Sequence, residues 1–136
     1  MTTGSDAPIV GVGVVVVDEG EILLVQRGHE PGQGLWAVPG GKVAYGETLR
    51  TAAAREVREE TGLVVEIGDV VWAGEHIWEH GHTVLVDFLG TVVSGTLSAG
   101  DDAAQVRWVP MDEAASYPLT GTMYELIELL RERNGS

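Results

Sequence analysis

The amino-acid sequence predicts an α+β fold: a sheet built mainly from antiparallel hairpins, with helices packed against it. Three observations lead there. Residues 9–17 and 22–26 are two apolar, β-branched runs separated by a tight polar turn, the pattern of a hairpin. The longer runs of helix-favouring composition are residues 48–61 and the C-terminal stretch 122–133. No repeat, low-complexity tract or linker divides the 136 residues, so a single domain over 1–136 is expected, with 1–7 as a flexible start.

Taken in order, residues 9–17 (IVGVGVVVV) read as a buried strand with Gly11 and Gly13 set inside it. Asp18-Glu19-Gly20-Glu21 turns the chain, and residues 22–26 (ILLVQ) return beside it. A glycine-rich loop over 28–34 precedes a short strand at 35–38, which Pro39-Gly40-Gly41 should halt. The helix at 48–61 has Gly62 where a C-terminal cap belongs. Residues 63–67 and 70–77 read as two strands broken at Gly68-Asp69. A turn at Glu79-His80-Gly81 leads to a strand at 83–93, a loop at 94–102 and a last strand at 105–109. A short helix is expected at 111–117. The terminal helix carries Met123, Leu126, Ile127 and Leu130 on one face.

Composition narrows the function classes. The formal charge is −13 and the chain has one lysine, Lys42, which argues against a nucleic-acid partner. No apolar run reaches the roughly 18–20 residues of a membrane span, and the first eight residues lack a basic segment followed by an apolar one. With no cysteine there is no disulfide framework, thiolate metal site or cysteine nucleophile, and a reducing cytoplasm fits. An acidic surface repels a phosphorylated small molecule unless cations intervene, so an anionic substrate would require a divalent metal.

The chemistry concentrates in residues 41–63, GKVAYGETLRTAAAREVREETGL. Glu56, Glu59 and Glu60 stand at i, i+3 and i+4, so their side chains share one helix face. Like charges at that spacing repel, and they crowd the last turn, where the helix dipole disfavours anions. Each effect costs a few tenths of a kcal/mol, so helix stability does not account for the cluster. Carboxylates on a rigid backbone do suit Mg²⁺, which takes oxygen ligands and keeps waters and phosphates in its shell. On its own, the run REVREE reads more readily as a solvated charged face, which is common on helices.

The spacing around it decides between the two. Gly41, five residues, Glu47, seven residues, Arg55-Glu56-Val57, then Glu59-Glu60 and Gly62-Leu63 resemble the signature of the Nudix hydrolases without a departure. The opening hairpin, LWAVPGG and VRWVP are also similar to that family. The resemblance implies an α/β/α sandwich around a mixed, largely antiparallel β-sheet. It implies metal-dependent hydrolysis of a nucleoside diphosphate linked to another moiety, with Mg²⁺, or Mn²⁺, as cofactor. Glu56, Glu59 and Glu60 would face the metal, with the Gly40 carbonyl as a further ligand. Glu47 would pair with Arg55, and these two with Glu59 and Glu60 form the expected catalytic set.

Outside that stretch the residues are weighed one by one. Asp102, beside Asp101, joins that catalytic set as a candidate: it lies six residues before Trp108, a spacing similar to that of a downstream acid that serves metal or catalysis in MutT-like members; the alternative is an ordinary Gly-Asp-Asp turn. Arg27 is a candidate phosphate or base contact, and Trp78 a candidate stacking surface, while Trp36 and Trp108 read as structural. His76, His80 and His82 with Glu79 match no metal-ligand pattern. The resemblance favours an ADP-ribose-like substrate, with a MutT-like (d)NTP pyrophosphohydrolase or a non-catalytic nucleotide-binding regulator as alternatives. The strand-rich surface over 70–93 points to a homodimer.

Overall fold

The computed structural model describes residues 7–100 and 102–135, so most of the expected flexible start and Asp101 lie outside the described residues. The central strand β1 (Ile9–Asp18) has different neighbours on its two sides. Later in the chain come β5 (Leu63–Trp78) and β6 (Gly81–Gly95), a long antiparallel hairpin. β6 lies parallel to β1, from Thr83 opposite Ile9 to Gly90 opposite Val16. On its other side β1 meets β2 (Glu21–Arg27) only at Val17 and Asp18. β2 then swings away to pair with β3 (Trp36–Ala37) and β7 (Ala103–Pro110). The short β4 (Gly40–Lys42) takes the vacated edge, pairing with Gly11, Val12 and Gly13.

Two helices cover the sheet, one on each face. Helix α1 (Leu49–Thr61) packs Ala52, Ala53 and Val57 against Val12, Val14, Val16, Leu23 and Phe88. Helix α2 (Gly121–Gly135) packs Met123, Leu126, Ile127 and Leu130 against Val15, Ile22, Leu24, Trp36 and Val109. Adjacent residues of β1 and β2 thus feed opposite cores, which is why those strands are apolar almost throughout. Each fully buried Val, Leu or Ile contributes roughly 1.5–3 kcal/mol relative to exposure. The result is the expected α/β/α sandwich. Among the described residues no helix is long and apolar enough to cross a membrane.

The ends of α1 are fixed by capping. Thr48 accepts the Thr51 N–H on its hydroxyl at 3.1 Å. At the other end Gly62 adopts φ 77°, a left-handed conformation that costs glycine little, and donates its N–H to the Arg58 carbonyl. The last carbonyls still need partners. The Ser98 N–H donates to Thr61 O and the Gly100 N–H to Glu60 O, both at 2.9 Å, so the loop after β6 is tied to the final turn of α1.

Three expectations are corrected. The break at Gly68-Asp69 is a register shift inside one continuous β5, since a bulge absorbs extra residues without ending a strand. Residues 39–41 do end the strand before them, since β3 stops at Ala37, but Gly40 and Gly41 are themselves strand: they begin β4, because the exposed edge of β1 offers a ladder. Residues 111–117 form turns and one 3₁₀ segment (Ala114–Ser116) instead of a helix. Tyr117 is extended at ψ 152°, as the residue before a proline prefers.

Gly62→Ala tests the α1 cap. A methyl group there would meet the Thr96 carbonyl in a conformation that L-residues rarely adopt. The substitution should lower unfolding free energy by about 1 kcal/mol or more in a urea titration.

Candidate active site

One cation organises the carboxylates of α1. Arg55 makes a paired contact with Glu47, Nε to Oε2 at 2.7 Å and Nη2 to Oε1 at 2.9 Å. Its Nη1 donates to Glu56 at 2.7 Å and to Glu59 at 3.1 Å, and Nη2 also reaches the Lys42 carbonyl at 3.1 Å. Glu47 is held in turn by the Ala44 N–H at 3.0 Å. The loop between β4 and α1 is therefore locked to the helix through a forked, charge-assisted pair. The Arg55 hydrogen bonds, and then the Ala44 N–H, bring the Glu47 carboxyl down to about 2. The Arg55 guanidinium is raised further above its usual range, first by Glu47 and then by Glu56.

Glu56 lies directly over Gly41, where any side chain would collide with its carboxylate. Glu59 is the open one, 55% exposed. Glu60 turns inward and accepts the Gly40 N–H at 2.7 Å. Its carboxyl is pushed up to about 7, chiefly by burial and also by the charges of Glu56 and Asp102. The Gly40 N–H and Arg27 pull it the other way.

Two residues from outside the 41–63 stretch therefore reach this end of the helix. Asp102 is brought there by the loop that caps α1, and its carbonyl accepts the Gly28 N–H at 3.1 Å. Its carboxylate is open to solvent, 3.7 Å from His29 Nε2. Arg27 ends β2 and donates to the Pro31 carbonyl at 2.7 Å. Trp78 is not gathered in. It sits at the tip of the β5–β6 hairpin, 42% exposed and stacked on His76, about 20 Å along the strand from the row that holds Gly13. The other hairpin histidines pair loosely with acids, His82 with Glu75 at 3.8 Å and His80 with Glu79 at 4.0 Å. Trp36 is buried in the α2-side core, where Tyr117 packs edge-on against it.

The donor set suits a hard divalent cation: carboxylate oxygens of Glu56, Glu59 and Glu60, the last on the Gly40 N–H. Among the described residues no three acids or histidines already converge on one point, since Arg55 engages two of the glutamates and a backbone N–H engages the third. Glu60 shows what the arrangement lacks. Its hydrogen-bond partner is a neutral amide and its neighbours are largely anionic, so added positive charge would relieve it.

Comparison with known proteins gives a consistent answer. The family model for the NUDIX domain matches residues 7–130. An ADP-ribose pyrophosphatase of Methanocaldococcus jannaschii is 35% identical over 107 residues, 77% of this chain and 63% of that protein, so the chain spans under two thirds of that relative. A CTP pyrophosphohydrolase of Escherichia coli is 34% identical over 128 residues, covering 86% of this chain and 87% of that one. The crystal structure of a MutT NUDIX hydrolase from Burkholderia pseudomallei superposes with a TM-score of 0.82 at 31% identity, covering 90% and 98%.

The Glu47–Arg55 pair sets a pH signature. A carboxyl whose pKa is lowered in the fold, from 4.5 to about 2, adds stability above pH about 4.5 and loses it as the pH falls toward 2. Urea titrations from pH 7 to pH 3 should show Glu47→Gln less stable than the wild type by a constant margin down to about pH 5. The margin should then shrink as the pH falls further.

Proposed function

The chain belongs to the NUDIX family, and from that premise we propose that it hydrolyses a pyrophosphate linkage within a nucleotide. Relatives named as pyrophosphatases and pyrophosphohydrolases support the reaction class. The observation that carries it is the gathering of Glu56, Glu59 and Glu60 at one helix end, beside Arg27 and Asp102.

In this reading Glu56, Glu59, Glu60 and the Gly40 carbonyl would hold Mg²⁺, with Mn²⁺ able to replace it. When bound, the cation polarises a phosphoryl oxygen and makes water a better nucleophile. Arg55 acts as a positioning group: its fork to Glu47 would keep the guanidinium in place while Glu56 and Glu59 turned to a cation. Arg27 faces the substrate phosphates. Asp102 takes the proton of the attacking water or joins the ligand set. Water adds to one phosphorus, the bridging P–O bond breaks, and two phosphorylated fragments leave.

An ADP-ribose-like nucleoside diphosphate is the preferred substrate, supported by the Methanocaldococcus relative. A (d)NTP is the second reading, favoured by the CTP-hydrolysing relative that matches along 87% of its length. The chain acts as one domain, in a reducing cytoplasm, as a homodimer formed through the exposed strand surface that includes Val70, Ile77 and Val93. Trp78 lies on that same hairpin, so any contact with substrate would come from the dimer arrangement.

A substrate screen with Mg²⁺ that identifies the products tests both the reaction and the phosphorus attacked. Inertness toward ADP-ribose and every NTP would overturn the reading. Glu59→Gln and Glu60→Gln should lower turnover by orders of magnitude, because each removes a charge from the metal site. Glu60→Gln keeps an acceptor for the Gly40 N–H and loses a buried charge, so its thermal midpoint should hold or rise. Asp102→Asn separates the two roles: loss in kcat with unchanged Mg²⁺ dependence marks a base, and weaker Mg²⁺ binding marks a ligand.

A further inference from the structure

Among the described residues only Thr61 and Asp87 are polar and buried. Thr61 is satisfied: its hydroxyl donates to Val57 O at 2.6 Å and accepts the Leu63 N–H at 3.2 Å. Asp87 is not. It lies within β6, 7% exposed, and its carboxyl has no hydrogen bond or ion pair with any described residue. Such a group is costly in a fold and calls for a reason. Nor is it sealed: among the described residues His82 Nε2 is the one fully enclosed side-chain polar atom without a hydrogen bond, so the Asp87 oxygens still open onto solvent.

The strand registers show where it opens. Asp87 is opposite Gly13 in the parallel β1–β6 pair, and Gly13 is opposite Gly40 in the β1–β4 pair. The three residues form a row across adjacent strands, which places Asp87 about 10 Å from Gly40, within one nucleotide's reach. A side chain at Gly13 would collide with Asp87 Oδ1 and come within 3.1 Å of Val38 Cγ2. Trp72 is the cross-strand partner of Asp87 on β5. Val38 and Trp72 both pack against the α2-side core. A lone acceptor above a glycine, beside an aliphatic group and with a tryptophan as cross-strand neighbour, suits the amino edge of a flat ring, and it repels phosphate. Burial pushes the carboxyl up to about 6, which leaves it mainly ionised, and so an acceptor, at neutral pH.

We propose that Asp87 selects the nucleobase, accepting a hydrogen bond from the exocyclic amino group of adenine or cytosine while the phosphates lie at the α1 carboxylates. This rests on the nucleotide reading above and adds to it the feature by which a base is chosen. Hypoxanthine or uracil presents a carbonyl oxygen in place of the amino group, so two acceptors would face each other. A site built to receive a donor discriminates strongly against an analogue that lacks it.

Calorimetric binding of AMP against IMP, and of CMP against UMP, tests this without requiring turnover. At least one pair should favour the amino base by about tenfold or more in the wild type. Asp87→Asn can donate as well as accept, so it should bring that ratio within about threefold or invert it. The kcat/KM ratio for the matching substrates, ADP-ribose against IDP-ribose or CTP against UTP, should move in parallel. Equal affinities across both pairs in the wild-type protein overturn the proposal, even if the variant fails to fold. So does a ratio unchanged in a folded Asp87→Asn protein. If no nucleotide is hydrolysed yet the amino preference is present and depends on Asp87, the hydrolase reading falls and the base-selecting role stands. Hydrolysis without that preference gives the reverse.

Discussion

The site depends on a single guanidinium. Three glutamates at i, i+3 and i+4 in the last turn of a helix repel one another and oppose the helix dipole, so α1 has no local reason to carry them. Arg55 makes the arrangement tenable by touching Glu56 and Glu59 with one nitrogen. It can do so because Glu47 grips the other side of the fork, and Glu47 is aimed by the Ala44 amide. The loop conformation, the orientation of the arginine and the direction of two carboxylates form one connected constraint. A lysine could not replace Arg55, since a point charge on a flexible stem cannot hold a planar, forked geometry.

That constraint leaves Glu60 outside it, and the difference matters. Glu56 and Glu59 already share a cation, while Glu60 has an amide and is buried among like charges. The second source of order is the cap on α1. The amides of Ser98 and Gly100 satisfy the final carbonyls of the helix, and the same loop carries Asp102 toward Glu60. A stabilising device at the helix end thus also delivers an acid from a distant part of the chain. Thr61, Gly62 and Gly100 form the hinge-point of this delivery, although none of them bears chemistry.

The shared face of Glu56, Glu59 and Glu60 was legible because helix geometry is local, residues three and four apart sharing a face wherever the helix lies, whereas the Glu47–Arg55 pair was expected only from the family resemblance. The α1 cap at Gly62 and the apolar face of α2 were legible for the same reason. Misreadings arose where a neighbour decided the outcome. Gly68-Asp69 ends a strand by composition, yet β6 runs past it and holds β5 together. Gly40 reads as a stop, yet the free edge of β1 recruits it. Asp87 did leave a trace, a lone acid inside the apolar run TVLVDFLGTVV. What the trace meant depended on Gly13, more than seventy positions earlier and adjacent only through a parallel pairing.

Gly13 is therefore the link between the two faces of the sheet. On one side its strand partner is Gly40, whose N–H fixes Glu60 at the α1 end. On the other side its partner is Asp87, within reach of Val38 and Trp72 on the face that α2 covers. A larger residue at this point would displace Asp87 and crowd Val38. The phosphate chemistry is built on helix geometry and is rigid, whereas the base-selecting acceptor is one side chain on a strand. A change at residue 87 alters which ring is received without disturbing Arg55 or the glutamates. The fold can thus keep one hydrolytic apparatus while changing the base it reads.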